Sequence, residues 1–209
     1  GYIMFDPTFS TPSLNLSSAS LTVNGTQTFQ YVSRITEGGG DIDNDGKPDF
    51  GIAVPNNQFI QFFLGKDSGT WEAGSVLPTF VIFSGGQNLN NAAGTNIPHI
   101  FSIGGDINGD GFDDILIGGD QEGSNSNLNG RAFLIFGQSD TTPFNSSNID
   151  DIADIVFEGE AEGDHAGYSV DIIPDINADG FDDILISAYN SGTSKGPRFI
   201  LFMVNEIIL

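Results

Sequence analysis

Asp106-Ile107-Asn108-Gly109-Asp110-Gly111-Phe112-Asp113-Asp114 runs directly into Ile115-Leu116-Ile117. Oxygen side chains at loop positions 1, 3, 5 and 9, with glycine at 6, give the spacing that a hard, oxygen-seeking cation requires. Alternate residues turn their oxygens inward, and the glycine permits the φ > 0 turn that folds the loop back. The motif recurs as Asp41-Ile42-Asp43-Asn44-Asp45-Gly46-Lys47-Pro48-Asp49 and as Asp175-Ile176-Asn177-Ala178-Asp179-Gly180-Phe181-Asp182-Asp183. A single Asp-Asn-Gly run is ordinarily only a turn. Repetition in one register points to calcium instead. The expected side-chain ligands are Asp41, Asp43, Asp45 and Asp49; Asp106, Asn108, Asp110 and Asp114; and Asp175, Asn177, Asp179 and Asp183. The backbone carbonyls of Lys47, Phe112 and Phe181, at position 7, complete the expected set.

The residues leaving the loop decide between a helical and a strand setting. An EF-hand needs a bidentate Glu at position 12 and an exiting helix. Here position 12 is Ile52, Ile117 and Ile186. The exiting segments, Phe50-Gly51-Ile52-Ala53-Val54, Asp114 to Ile117 and Asp183 to Ile186, are short apolar runs stopped by Gly, Ser or Pro. That is strand grammar, so each loop is expected to join two strands.

Composition agrees with an all-β chain: 28 Gly and 18 Phe, with abundant Asn, Ser and Thr, and no helical periodicity of useful length. The 28 acidic residues against 6 basic ones leave a net charge of −22, which repels nucleic acid and anionic membranes. Three divalent cations would reduce that only to −16, so much of the acidity is a solvated face. There is no cysteine, hence neither disulfide nor thiol nucleophile. Open calcium loops work at the roughly millimolar calcium found outside cells, which favours an extracellular or cell-surface, secreted setting. The sequons at Asn15, Asn24 and Asn145 are compatible with it. No leader-like segment opens the chain, so any signal peptide is expected to have been removed. The longest apolar stretch, Phe199 to Leu209, is too short to span a bilayer, so no membrane insertion is expected.

Aligned on the first loop Asp, the copies lie 65 and 69 residues apart. A strand precedes each loop (Thr28 to Ile35, His99 to Ile103, Gly167 to Ile173), and a short strand comes after it. A third comes next (Phe59 to Leu64, Arg131 to Phe136, Arg198 to Val204), and a fourth closes the first two units (Phe80 to Phe83, Ile155 to Phe157). Four strands at this period describe propeller blades. The strand phenylalanines, at alternating positions, are read as core between blades.

On these features the chain resembles the FG-GAP repeats of the integrin α-subunit β-propeller and its bacterial relatives. The third copy matches most fully, with Gly159-Glu-Ala-Glu-Gly-Asp164-His-Ala-Gly167-Tyr-Ser-Val170 ahead of its loop. The "GAP" half survives roughly as Gly51-Ile-Ala-Val-Pro55, but as Gly118-Gly-Asp120 and Ser187-Ala-Tyr189 in the other copies. The "FG" half is Ala166-Gly167 in copy three, and Ile97-Pro-His-Ile100 takes its place in copy two. The resemblance implies one FG-GAP-like β domain over 1–209: a partial blade at 1–25, then repeats at 26–90, 91–160 and 161–209. Tyr2 to Phe5 reads as a third strand and Ser20 to Gly25 as a fourth, which offers a way to complete the last blade. Three to four blades stand at or below the usual propeller ring of about 4–8. A fragment, a compact small propeller, and a subunit whose open blade edges pair with a neighbour all stay open.

Two functions from different classes are compatible with these features. The favoured one is a non-enzymatic, calcium-binding extracellular propeller module for adhesion, protein interaction or assembly, with a protein or glycan ligand at the cell surface. It includes an oligomer or filament subunit self-associating through open blade edges. The alternative is a calcium-dependent polysaccharide-binding or lyase-like domain, for which six basic residues are a poor endowment. No catalytic residue is assigned. Asp164-His165 reads as a solvated polar turn, and Asp113, Asp182, Glu158, Glu160 and Glu162 read as charges beside the loops or on the surface. His99, Trp71 and Tyr189 offer at most isolated candidates.

Overall fold

The computed structural model describes residues 2–3, 21–22, 36–54, 59–67, 78–83, 101–119, 129–146, 148–188 and 198–202. Thirteen strands are found among them and no α-helix. Blade one is the antiparallel meander of β3 (Thr36–Gly38), β4 (Phe50–Val54), β5 (Phe59–Phe63) and β6 (Phe80–Phe83). Blade two repeats it with β7 (Phe101–Ile103), β8 (Ile115–Gly119), β9 (Arg131–Ile135) and β10 (Ile155–Glu158). Blade three contributes β11 (Ala166–Ile173), β12 (Asp183–Ala188) and β13 (Arg198–Phe202). At the amino terminus β1 (Tyr2–Ile3) pairs antiparallel with β2 (Leu21–Thr22). Among the described residues these two strands, which offer one way to complete the last blade, form a sheet of their own. The strand expected at Thr28 to Ile35 lies outside the described residues, as do His99, Trp71 and Tyr189.

Each loop of interest is the hairpin connection between the first and second strand of a blade, as the strand grammar requires. The position-12 isoleucines Ile52, Ile117 and Ile186 are buried in β4, β8 and β12. Successive strand residues face opposite ways, and in blade two both ways are covered. Ile115, Ile117, Phe133 and Ile135 pack toward blade one, against Ala53, Ile60, Phe62, Phe80 and Ile82. Leu116, Ala132 and Leu134 pack toward blade three, against Val170, Ile184 and Ile186. A strand buried on both faces reads as a continuous apolar run, which explains Ile115-Leu116-Ile117 and Ala132 to Ile135.

The phenylalanines hold blades one and two together, as expected of core residues. Phe62 stacks on Phe80 at 4.7 Å between ring centroids and meets Phe101 edge-on at 5.9 Å. Phe144 reaches Phe80 at 5.3 Å from a connection that the sequence reading did not resolve. That connection carries two 3-10 turns, Thr142–Phe144 and Ile149–Asp151, which drive Phe144 and Ile149 into the core. It also covers the outer edge of β6: Asn145 Oδ1 accepts the Val81 N–H at 3.0 Å, and Ser146 bridges Ile82. This edge is thus occupied at Val81 and Ile82, so these two positions are not left to pair with a neighbouring chain.

Blades two and three meet backbone to backbone. Gly167 has φ +79°, and a Cβ there would strike the Arg131 carbonyl at the start of β9. A Cβ on Gly118 would strike the Gly167 carbonyl in turn. Only glycine fits both sites.

Phe101 is fully buried at the blade-one interface, where Gly51 leaves room for its ring. Phe101→Ala is expected to cost about 3–5 kcal/mol, checked by the shift of the urea unfolding midpoint.

Candidate metal centres

Each loop is first organised by its own aspartates. The position-1 carboxylate gathers the N–H groups of the turn: Asp41 accepts from Asp45 at 2.9 Å and Gly46 at 2.8 Å. Asp106 accepts from Gly109, Asp110 and Gly111 at 2.7, 3.0 and 2.8 Å. Asp175 does the same with Ala178, Asp179 and Gly180 at 2.6, 3.2 and 2.8 Å. These donors, the Gly180 N–H foremost, hold the Asp175 carboxyl below the ordinary carboxylate range. Position 5 then accepts the position-7 N–H in every copy: Asp45 from Lys47, Asp110 from Phe112 and Asp179 from Phe181, at 2.9, 3.0 and 3.1 Å.

Position 6 has the expected positive φ at Gly46, Gly111 and Gly180. So does position 4, which the sequence reading overlooked: Asn44 at 51°, Gly109 at 76° and Ala178 at 60°. Asn and Gly tolerate this region, and their presence in two copies was the available signal. Alanine does not, so Ala178→Gly is expected to raise stability by about 1 kcal/mol, read as a higher thermal midpoint.

Position 9 is the foot of the loop. Asp49, Asp114 and Asp183 are at most 1% exposed. Their Oδ2 atoms accept the position-2 N–H of Ile42, Ile107 and Ile176 at 2.7, 2.8 and 2.9 Å. Asp49 Oδ1 and Asp114 Oδ1 also accept from Gly65 and Gly137, just beyond the third strands, at 2.7 and 2.9 Å. One carboxylate thereby joins loop, second strand and third strand. Burial pushes Asp49 up to about 6 and Asp114 to about 7, against the pull of these backbone donors.

Because those pKa values lie above that of an unfolded aspartate, the fold binds protons that the unfolded chain releases between about pH 4 and 7. Stability in EDTA is therefore expected to fall as pH rises from 5 to 7.5 and then level off, measured by thermal melts across that range.

In loop one, Asp41, Asp43 and Asp49 each bring an oxygen within 4.8 Å of the others. Asp43 Oδ1 is buried without a hydrogen-bond partner, and its carboxyl is pushed up by burial and then by Asp45. A buried, unpaired carboxylate oxygen among others is costly unless a cation joins it. An oxygen-only donor set of this kind fits calcium. Asp45 stands beside the group, tied to Lys47 Nζ at 2.8 Å. In loops two and three position 3 is Asn108 and Asn177, whose amides donate to Asp110 and Asp179 at 2.8 Å each. Among the described residues, the group of acidic side chains close enough to share a cation is the one in loop one, Asp41, Asp43 and Asp49.

Other candidates fall into different roles. Asp164 and His165 were read as a solvated turn, but both are buried, 1% and 8% exposed, because the tight passage into β11 encloses them. Asp164 Oδ2 accepts the Ala161 N–H at 2.8 Å. Arg131 is held by Asp150 at 2.9 Å and Glu158 at 3.4 Å, with its guanidinium 4.8 Å from the Phe133 centroid. Asp113 and Asp182, expected as charges beside the loops or on the surface, each hydrogen-bond the preceding loop. The paired Asp-Asp at positions 8 and 9 was their signal.

The FG-GAP repeat model matches residues 99–135 and 166–201. These segments cover β7 to β9 and nearly all of β11 to β13, so blades two and three are FG-GAP repeats. Blade one lies outside the two matches but carries the same loop and the same strand order. No curated protein shows significant similarity to the chain.

Proposed function

We propose that the loops hold calcium and that the chain is a non-enzymatic, extracellular propeller-type module for adhesion, protein interaction or assembly. The observation that carries this reading is the unpaired, buried Asp43 Oδ1 inside the Asp41, Asp43 and Asp49 group. Calcium would offset the mutual repulsion of these carboxylates and cross-link a chain that has no cysteine. FG-GAP repeats occur in integrin-like adhesion propellers of the cell exterior, which supports the setting. None of the described helices is long and apolar enough to cross a membrane. A protein or glycan at the cell surface is the expected ligand, with self-association through uncovered strand edges a further route to assembly.

Calcium is expected to stabilise the fold by about 2.7 kcal/mol per site at a hundredfold excess over the dissociation constant, and EDTA to remove that gain. Calorimetric titration should count three ions, and Asp45→Ala, Asp110→Ala and Asp179→Ala should each remove one. An unchanged melting temperature in EDTA, or unchanged stoichiometry in all three variants, defeats the proposal. Light scattering with and without calcium tests the assembly route.

A further inference from the structure

Neighbouring loops are joined by contacts that metal ligation does not use. Asp113, at position 8 of loop two, accepts the Asp41 N–H on Oδ2 at 2.7 Å, and its own N–H donates to the Asp41 carbonyl at 3.2 Å. Asp182, at position 8 of loop three, treats Asp106 alike: it accepts at 3.0 Å and donates at 3.3 Å. Its other oxygen accepts the Asp175 N–H of its own loop at 2.9 Å. In loop one position 8 is Pro48, which has neither N–H nor carboxylate. The contacts therefore run one way, from each loop to the loop before it.

The clamped residues, Asp41 and Asp106, are the position-1 residues around which their loops are wound. Packing closes the same junctions. The Gln138 N–H donates to the Ile42 carbonyl at 3.0 Å, and a Cβ on Gly137 would strike the Asp113 carbonyl. The Phe181 ring lies against Gly109, where a Cβ would come within 2.6 Å of it. A residue held at both its N–H and its carbonyl cannot shift without moving its partner. Ordering one loop therefore removes part of the entropy that ordering the next would otherwise lose.

We infer that Asp113 and Asp182 are positioning residues that couple adjacent cation loops, so that neighbouring loops strengthen each other's binding. The inference rests on the calcium reading above. The coupling travels through the carboxylate hydrogen bond to the neighbour's backbone, not through added negative charge.

The test monitors the amide resonances of Gly46, Gly111 and Gly180, one per loop, while the 15N-labelled chain is titrated with calcium. Asp113→Ala is expected to raise the calcium midpoint at Gly46 about ten-fold and leave Gly180 in place. Asp182→Ala should raise the midpoint at Gly111, and at Gly180 through its bond to Asp175. Asp113→Asn keeps an acceptor oxygen and should restore Gly46 to near its original midpoint. Equal shifts at all three glycines, a shift at Gly111 with none at Gly46, or an Asn variant as weak as the Ala variant overturns the coupling. Should Asp113→Ala not fold, Asp110→Ala empties loop two with the clamp intact, and an unmoved Gly46 midpoint is then the overturning result. No response at any glycine in the unaltered chain defeats the calcium reading and this inference with it. A response there without the neighbour effect defeats the coupling alone.

Discussion

The aspartate at the foot of each loop is the constraint on which the rest depends. Asp114 is wholly buried between β8 and the end of β9, where its two oxygens accept the N–H groups of Ile107 and Gly137. A buried carboxylate is tolerable only with such donors, and the donors would be orphaned without it. The hairpin, its loop and the third strand therefore form together. Asp49 repeats the arrangement with Ile42 and Gly65. Position 9 is thus an architectural residue as much as a ligand.

The acidity of the chain takes a different meaning in that light. Many aspartates of the loops are turned inward as acceptors for backbone N–H groups, and only some of their oxygens are left for a cation. Loop one shows the division most clearly: Asp41 serves the turn, Asp49 serves the blade, and Asp43 Oδ1 serves neither. An ion bound there would complete a loop whose path is already set by its own carboxylates.

Much of this was legible in the sequence because the pattern repeats. Oxygens at alternate positions, a glycine and then Ile-Leu-Ile specify a hairpin loop and a buried strand in any one copy, and three copies give the period of a blade. Contacts between copies were not legible, since they depend on which residues meet across a junction. Asp113 and Asp182 look like surplus charge until Asp41 and Asp106 are seen beside them. His165 looks like a turn residue until the approach of β11 to β9 encloses it. Phe144 and Ile149 sit in a connection without periodicity, and their burial comes from the tertiary path rather than from local pattern.

The glycine contact between blades two and three bears on how such a protein can change over time. At Gly118, Gly167 and the Arg131 carbonyl the spacing of the two sheets is set by peptide groups, which every sequence shares. Mutation elsewhere can recolour the outer surface, exchanging charge for aromatic or polar groups, without altering the angle at which the sheets meet. The close approach of the two sheets depends on those two glycines, whereas the outer surface takes no part in it.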